Sequence, residues 1–276
     1  MLGAIVGDIV GSQLEWKEKQ NYDFPLFTGA CHYTDDSLMT LAIGEAFVLW
    51  RGRWREEGFQ SFVIERMVKM GREHQAASWG EKFYQWFMRT PVPYNSCGNG
   101  AAMRVSSVGW VSESEDDVRY FSRLVTEVSH NHPEGLKGAE SVAMAIYLAR
   151  IGTPMAQIRQ RMIEYYPEIE TMTVKKIRRE YGIDAGGRFI TCQGSVPQAI
   201  VCFLESHSFE DAVRLAVSLG GDTDTQGAIA GSIAEAYYGV PVEIEDEAIP
   251  FLTPKLESLY YAFGSVRLSR KNKKII

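Results

Sequence analysis

Two acidic segments concentrate the groups in this chain that can do chemistry. Thr34-Asp35-Asp36-Ser37 directly precedes an apolar run, and Gly220-Gly221-Asp222-Thr223-Asp224-Thr225 directly precedes a run of small residues. Either could serve only as a helix N-cap, because Asp and Thr satisfy free N–H groups and complement the helix dipole. A cap needs one such residue, however, and each segment supplies two carboxylates with hydroxyls beside them. If both lead into buried helices, four carboxylates converge in a core, where repulsion and desolvation force protonation. A pair of divalent cations removes that difficulty. Carboxylate, hydroxyl and water oxygens are hard ligands that suit Mg²⁺ or Mn²⁺. Asp222 to Gly227 also matches the start of a calcium loop, D-x-D-x-x-G, but the acidic twelfth position of such a loop is Ile233 here.

Other groups are more ambiguous by themselves. Glu15 reads by composition as an exposed glutamate. Asp8 reads as structural, holding a loop or a helix end. Gly98-Asn99-Gly100 permits close backbone approach and offers N–H groups to a phosphate, or is a plain turn. Arg104 could pair with a core carboxylate or with phosphate, and Ser96 is equally open. His130 and His132 do not make a zinc site, which needs three protein ligands. His132 reads as a structural histidine. No cysteine has a recognisable base beside it, so a thiol nucleophile is not expected.

The elements that must position these groups are helices. Residues 35–50 are apolar nearly all round, as in a core helix. Residues 58–73 place Phe59, Phe62, Val63, Met67 and Met70 at three- and four-residue steps. Ser114 with Asp117 predicts a helix start, as does Ser208 with Asp211, the latter helix ending at Gly220-Gly221. Residues 136–150 and 225–238 are small-residue helices, Thr153-Pro154 reads as a cap with proline at the first helical position, and Ser195 and Pro197 open a helix through Leu204. The aromatics of 50–54 and of Trp79 to Trp86 are packing candidates. Alternating strand patterns are nearly absent. The expectation is an all-α, compact, single-domain fold over residues 1–265, followed by a basic tail over 266–276.

Composition bounds the function. The 276 residues are 45% hydrophobic and 23% charged, which excludes a mostly disordered chain. The net charge of -6 argues against a dedicated nucleic-acid binder. Cys31, Cys97, Cys192 and Cys202 form no C-x-x-C pair, and the first residues lack a secretory pattern, so a cytoplasmic protein with reduced thiols is expected. No run of ~18 apolar residues is present, so no membrane partner is expected.

Five landmarks in order carry a resemblance: Gly7-Asp8-Ile9-Val10-Gly11-Ser12-Gln13-Leu14-Glu15, Tyr33 to Ser37, Gly98 to Arg104, His130-Asn131-His132-Pro133-Glu134, and Gly220 to Thr225. Together they resemble the ADP-ribosylglycohydrolase family, over about residues 3 to 240. The resemblance implies an orthogonal helical fold with a dinuclear Mg²⁺ or Mn²⁺ centre. It assigns metal ligation to Thr34, Asp35, Asp36, Asp222, Asp224 and Thr225. Glu15, matching a glutamate on a flap near the metals, becomes the acid/base, with Asp35 or Asp36 the other carboxylates able to act on the reacting atoms. Gly98, Asn99, Gly100, Ala101 and His130 would contact ADP-ribose, and one aromatic from 79–97 would stack on adenine. Ser37 stands where relatives commonly have threonine, and Ala101 where they often have Gly or Ser.

The implied reaction is hydrolysis of the glycosidic bond between ADP-ribose and an N- or O-linked acceptor. The partner is then an ADP-ribosylated protein or another ADP-ribose conjugate, the acceptor and the oligomeric state staying open. The rivals are a silent ADP-ribose-binding protein on the same fold, and a hydrolase of a small conjugate or of ADP-ribosylated nucleic acid. All the metal positions and Glu15 keep competent side chains, which favours the enzyme.

Overall fold

A computed structural model describes residues 1–17, 21–180 and 190–271. Its fifteen described α-helices are α1 Leu2–Ser12, α2 Asp35–Leu49, α3 Phe59–Glu73, α4 Glu81–Met88, α5 Gly100–Met103, α6 Ser106–Val111, α7 Glu115–Thr126, α8 Pro133–Arg150, α9 Met155–Tyr165, α10 Val174–Glu180, α11 Cys192–Glu205, α12 Phe209–Val217, α13 Thr223–Tyr238, α14 Val242–Ala248 and α15 Pro254–Lys271. The described residues contain no strand. A single antiparallel bridge joins Gly98 to Thr191. The all-α expectation is therefore met.

Every residue of α1 is buried, as is α13 from Thr223 to Glu235. The two helices run antiparallel with their backbones in contact. A Cβ on Gly3 would lie 2.1 Å from the Gly231 carbonyl oxygen, one on Gly7 1.9 Å from that of Gly227, and one on Gly11 2.3 Å from that of Thr223. The glycines recur at four-residue steps on α1; Gly3 and Gly7 face Gly231 and Gly227, and Gly11 meets the first turn of α13 at Thr223, so the two backbones share a groove. Because α1 is buried on all sides, it has no polar face, and its spacing gives no amphipathic signal. Around this pair, α13 also packs on α8, α11 and α12, while α2 packs on α1, α3 and α15. The apolar side chains of these helices form one contiguous core.

The capping signals place several helices. Ser114 accepts from the Asp117 N–H at 3.1 Å, and Ser208 from that of Asp211 at 3.1 Å. Two starts differ from the expectation. Pro154 is the N-cap of α9 rather than its first residue. Helix α11 begins at Cys192, so Ser195 and Pro197 lie inside it, and the Ser195 hydroxyl donates to the Thr191 carbonyl at 2.8 Å. The bridge of Gly98 with Thr191 fixes the chain just ahead of α11 and lets the helix start early. At the other end, helix α15 carries the backbone through 266–271 of the expected tail, and 272–276 lie outside the described residues. No described helix is long and apolar enough to cross a membrane.

The α1–α13 contact tolerates no side chain. Gly7→Ala puts a methyl group against a backbone carbonyl and should cost at least about 3 kcal/mol in urea denaturation. Gly264→Ala, on α15 with nothing within 4 Å of the new methyl, should be neutral or stabilising by up to about 1 kcal/mol. Equal stability of the two variants would refute the close approach.

Candidate active site

Helix crossing delivers Asp8 to the start of α2. Its Oδ2 accepts from the Thr34 N–H at 2.9 Å, from the Ser37 N–H at 3.0 Å and from the Ser37 hydroxyl, while Oδ1 accepts from the Thr34 hydroxyl at 2.7 Å. These four donors include N–H groups that α2 cannot satisfy internally. Asp8 is thus a helix-end anchor, as its residue type implies. The grip sets Thr34 as N-cap and turns the Asp35 and Asp36 carboxylates toward the start of α13. Burial raises the Asp8 pKa, and the four hydrogen bonds oppose that rise.

The second acidic segment arrives from the other side. Gly220 and Gly221 have φ of 83° and 78°, a region that glycine enters without steric cost. They turn the chain from α12 into Asp222, the N-cap of α13. The same turn holds Glu15: the Trp16 N–H donates to the Gly221 carbonyl at 2.7 Å, and the Gly221 N–H to that of Lys17 at 3.2 Å. Asn99 reaches over from α5 and donates to Asp222 Oδ2 at 2.6 Å.

Two groups of three carboxylates result. Asp8, Asp36 and Asp224 have oxygens within 4.8 Å of one another, and so do Glu15, Asp222 and Asp224. Asp224 belongs to both. Burial, then the other carboxylates, push Asp36 and Asp224 well above the usual range. Asp35 is raised likewise by burial, then by Asp224 and Asp8. Asp222 is pushed up to about 6 and Glu15 to about 7, burial again leading. The Thr225 hydroxyl donates to Asp36 Oδ2 at 3.3 Å, whereas Asp36 Oδ1 is buried without a hydrogen-bond partner among the described residues. Hard oxygen donors, mutual repulsion and an orphaned buried acceptor together fit a divalent cation.

These carboxylates line a cavity of about 740 Å³, with Glu15, Asp35, Asp36, Asp222, Asp224 and Thr225 at one end. That volume falls in the usual range of small-molecule sites. Trp16, Trp79, Phe83 and Tyr94 also line it, as do Gly98, Asn99, Gly100 and His130. Thr34 lies beneath the lining, held by Asp8. Ala101 is fully buried in α5 and is not part of the lining. His132 is structural, its Nδ1 accepting from the Glu134 N–H at 3.1 Å as the N-cap of α8.

The glycine loop offers fewer free N–H groups than its sequence promises. The Asn99 N–H is taken by the Ile190 carbonyl at 3.0 Å, the Gly98 N–H by the Ser96 hydroxyl at 3.1 Å and the Ala101 N–H by the Gly98 carbonyl at 3.2 Å. The Gly100 N–H is left without a partner among the described residues. Arg104 borders the cavity and has no carboxylate partner among the described residues. It is fully buried and donates to the Ser129 hydroxyl at 2.7 Å. Ser129 is a residue no motif flags, because its role depends on what α5 brings next to it.

Comparison with known proteins agrees with this geometry. The chain is 31% identical over 312 residues to the ADP-ribosylhydrolase ARH3 of Bos taurus, covering 87% of this chain and 84% of that protein. It is 26% identical over 265 residues to the ADP-ribosyl-(dinitrogen reductase) glycohydrolase of Rhodospirillum rubrum, covering 87% and 84%. An ADP-ribosylarginine hydrolase of Pseudomonas putida is 24% identical over 264 residues, covering 87% and 70%. A solved structure, titled ADP-ribosylglycohydrolase-related protein complex, shares the fold with a TM-score of 0.69 at 24% identity, covering 96% of this chain and 95% of that one. The ADP-ribosylglycohydrolase family model matches residues 1–251, and the chain belongs to that family.

Proposed function

We propose that the chain is a metal-dependent hydrolase that cleaves the bond between C1″ of ADP-ribose and an N- or O-linked acceptor. The observation that carries this reading is Asp224 within 4.8 Å of Asp36 on one side and of Glu15 and Asp222 on the other, all at one end of the 740 Å³ cavity. Thr34, Asp35, Asp36, Asp222, Asp224 and Thr225 would hold two ions, Mg²⁺ or Mn²⁺. Bound there, the ions supply Lewis acidity and a fixed seat for the ribose hydroxyls. Asp8 is outside this set because all its lone pairs toward α2 are engaged.

Glu15 would do the proton work. Burial, then the Asp224 charge, push its carboxyl up to about 7 in the metal-free protein, and it borders the cavity where the acceptor leaves. As the C1″–acceptor bond breaks, the Glu15 proton passes to the departing N or O atom. Water then adds its oxygen to C1″ and returns a proton to Glu15, releasing ADP-ribose and the free acceptor. Asp35 borders the same space and can orient the water. The exposed Trp16 and the wall of Trp79, Phe83 and Tyr94 offer stacking surface for the adenine. The catalytic unit is residues 1–265, with 266–276 a basic tail outside the chemistry. A cytoplasmic setting suits the four cysteines, none of which is in a disulfide. An ADP-ribosylated protein is the partner that the named relatives favour. The direct experiment measures ADP-ribose release from Arg-, Ser-, Thr- and base-linked substrates with and without Mg²⁺.

Metal removal should abolish hydrolysis, and Mg²⁺ or Mn²⁺ should restore it. At about 100 times its Kd the ion should also stabilise the fold by about 2.7 kcal/mol, read as a shift in melting. Asp224→Asn should lose most of that shift while the metal-free variant is no less stable than wild type, since one repelling charge is gone. Full turnover in a rigorously metal-free preparation would sink the reading.

Glu15→Gln keeps shape and cannot exchange the proton. Single-turnover hydrolysis at saturating Mg²⁺ should slow by ~10²–10⁴-fold, with ADP-ribose binding largely kept. A near wild-type rate would move the proton transfer to Asp35 or Asp36.

A further inference from the structure

On the wall of the cavity formed by Gly98 and Gly100, three buried polar residues form a chain. Arg104 donates to the Ser129 hydroxyl at 2.7 Å, and that oxygen lies 2.8 Å from His130 Nδ1. Arginine has no acceptor, so Ser129 Oγ must accept from it. Ser129 is fully buried, and among the described residues its own proton has one acceptor within reach, the Nδ1 of His130. With Nδ1 accepting, the proton of a neutral ring sits on Nε2. Burial, then the Arg104 charge, hold the His130 pKa well below its ordinary value, so the ring is neutral. Tyr94 and Phe83 flank the ring at 5.5 and 6.2 Å between centroids. Nε2 has no protein partner among the described residues. A Cβ on either Gly98 or Gly100 would lie 3.4 Å from it, so Nε2 faces the space those glycines leave open.

We infer that Arg104 and Ser129 are positioning residues that lock His130, which the family resemblance already places against ADP-ribose, as a neutral Nε2–H donor facing the space beside Gly100. The inference rests on the proposed substrate. The carboxylate end of the cavity repels phosphate, whereas this wall carries a buried guanidinium with no carboxylate ion-pair partner among the described residues. A neutral donor with a fixed tautomer is ready before the ligand arrives and loses no proton when it leaves.

Two measurements on the full chain test this. Long-range ¹⁵N–¹H spectra of the histidine rings, with His130 assigned by its loss in His130→Gln, should show a protonated Nε2 and a bare Nδ1. An Nδ1–H ring or an imidazolium would overturn the lock. The second is a double-mutant cycle read as the Kd for free ADP-ribose. Ser129→Ala should weaken binding about 5- to 10-fold, the scale of one misaligned hydrogen bond, and should mix the tautomers of His130. His130→Gln keeps an N–H donor that needs no tautomer lock, so Ser129→Ala added to it should change Kd less than 2-fold. An equal loss in both backgrounds would show that Ser129 acts through general packing and would overturn the positioning role. Should Ser129→Ala not fold, the wild-type ring spectrum still decides the lock. Absence of any ADP-ribose binding by wild type would remove the proposed substrate and the donor's ligand with it, while the tautomer is read independently.

Discussion

The backbone contact between α1 and α13 is the constraint on which the site depends. Gly3, Gly7 and Gly11 meet the opposite helix at four-residue steps, so the two axes are fixed in register as well as in distance. The last of these contacts is against Thr223 and Asp224. That contact sets the first turn of α13, with Asp224 and Thr225, one helical turn from Asp8. Asp8 in turn grips the first turn of α2, bringing Asp36 within reach of Asp224. A side chain in place of any of these glycines would separate the helices and pull the two acidic segments apart. The small residues here act through geometry rather than through hydrophobic area.

Gathering these acids carries an electrostatic cost that the surrounding protein does not remove. Asp8 is compensated by four hydrogen bonds, and Asp222 by Asn99. Asp36 and Asp224 receive little comparable help, and their pKa values rise furthest together with that of Asp35. The difference separates roles by physical criterion. A carboxylate whose lone pairs are filled by backbone donors is a strut. One that is buried, repelled and left with an orphaned oxygen is a ligand waiting for positive charge. On this criterion Asp36 is the strongest candidate for a cation and Asp224, shared by both carboxylate groups, stands beside it, while Asp8 is a strut despite lying equally close.

The sequence reveals the parts of this arrangement that are local. Ser114 and Ser208 announce their helices because a capping residue acts within three positions of itself. The acidic pairs are visible because doubled carboxylates beside hydroxyls are uncommon, and the order of the five motifs points to the family. Other features depend on tertiary contact and leave no local trace. Helix α1 has no polar face to give it a period. The early start of α11 depends on pairing with Gly98, distant in sequence. The glycine loop looks like a nest of free N–H groups, yet Ile190 and Ser96 consume two of them. Arg104 is the sharpest case. Its charge invites pairing with an acid or a phosphate, but α5 buries it against Ser129 and the face of Phe83.

That burial matters to the division of labour within the cavity. In a chain of net charge -6, the carboxylates at one end set up a strong negative field. A dianionic diphosphate can share the cavity only if the other end opposes that field. Exposed lysines would do so weakly, because water screens them. A buried guanidinium without a carboxylate partner among the described residues keeps its field; burial lowers its pKa, while Tyr94 and Asp35 oppose that shift. Arg104 therefore does two things from one position. It polarises the cavity from positive wall to acidic floor, and through Ser129 it turns His130 so that the wall presents a hydrogen-bond donor. The same polarity suits the substrate proposed above, which carries phosphates at its middle and sugar hydroxyls at its reactive end.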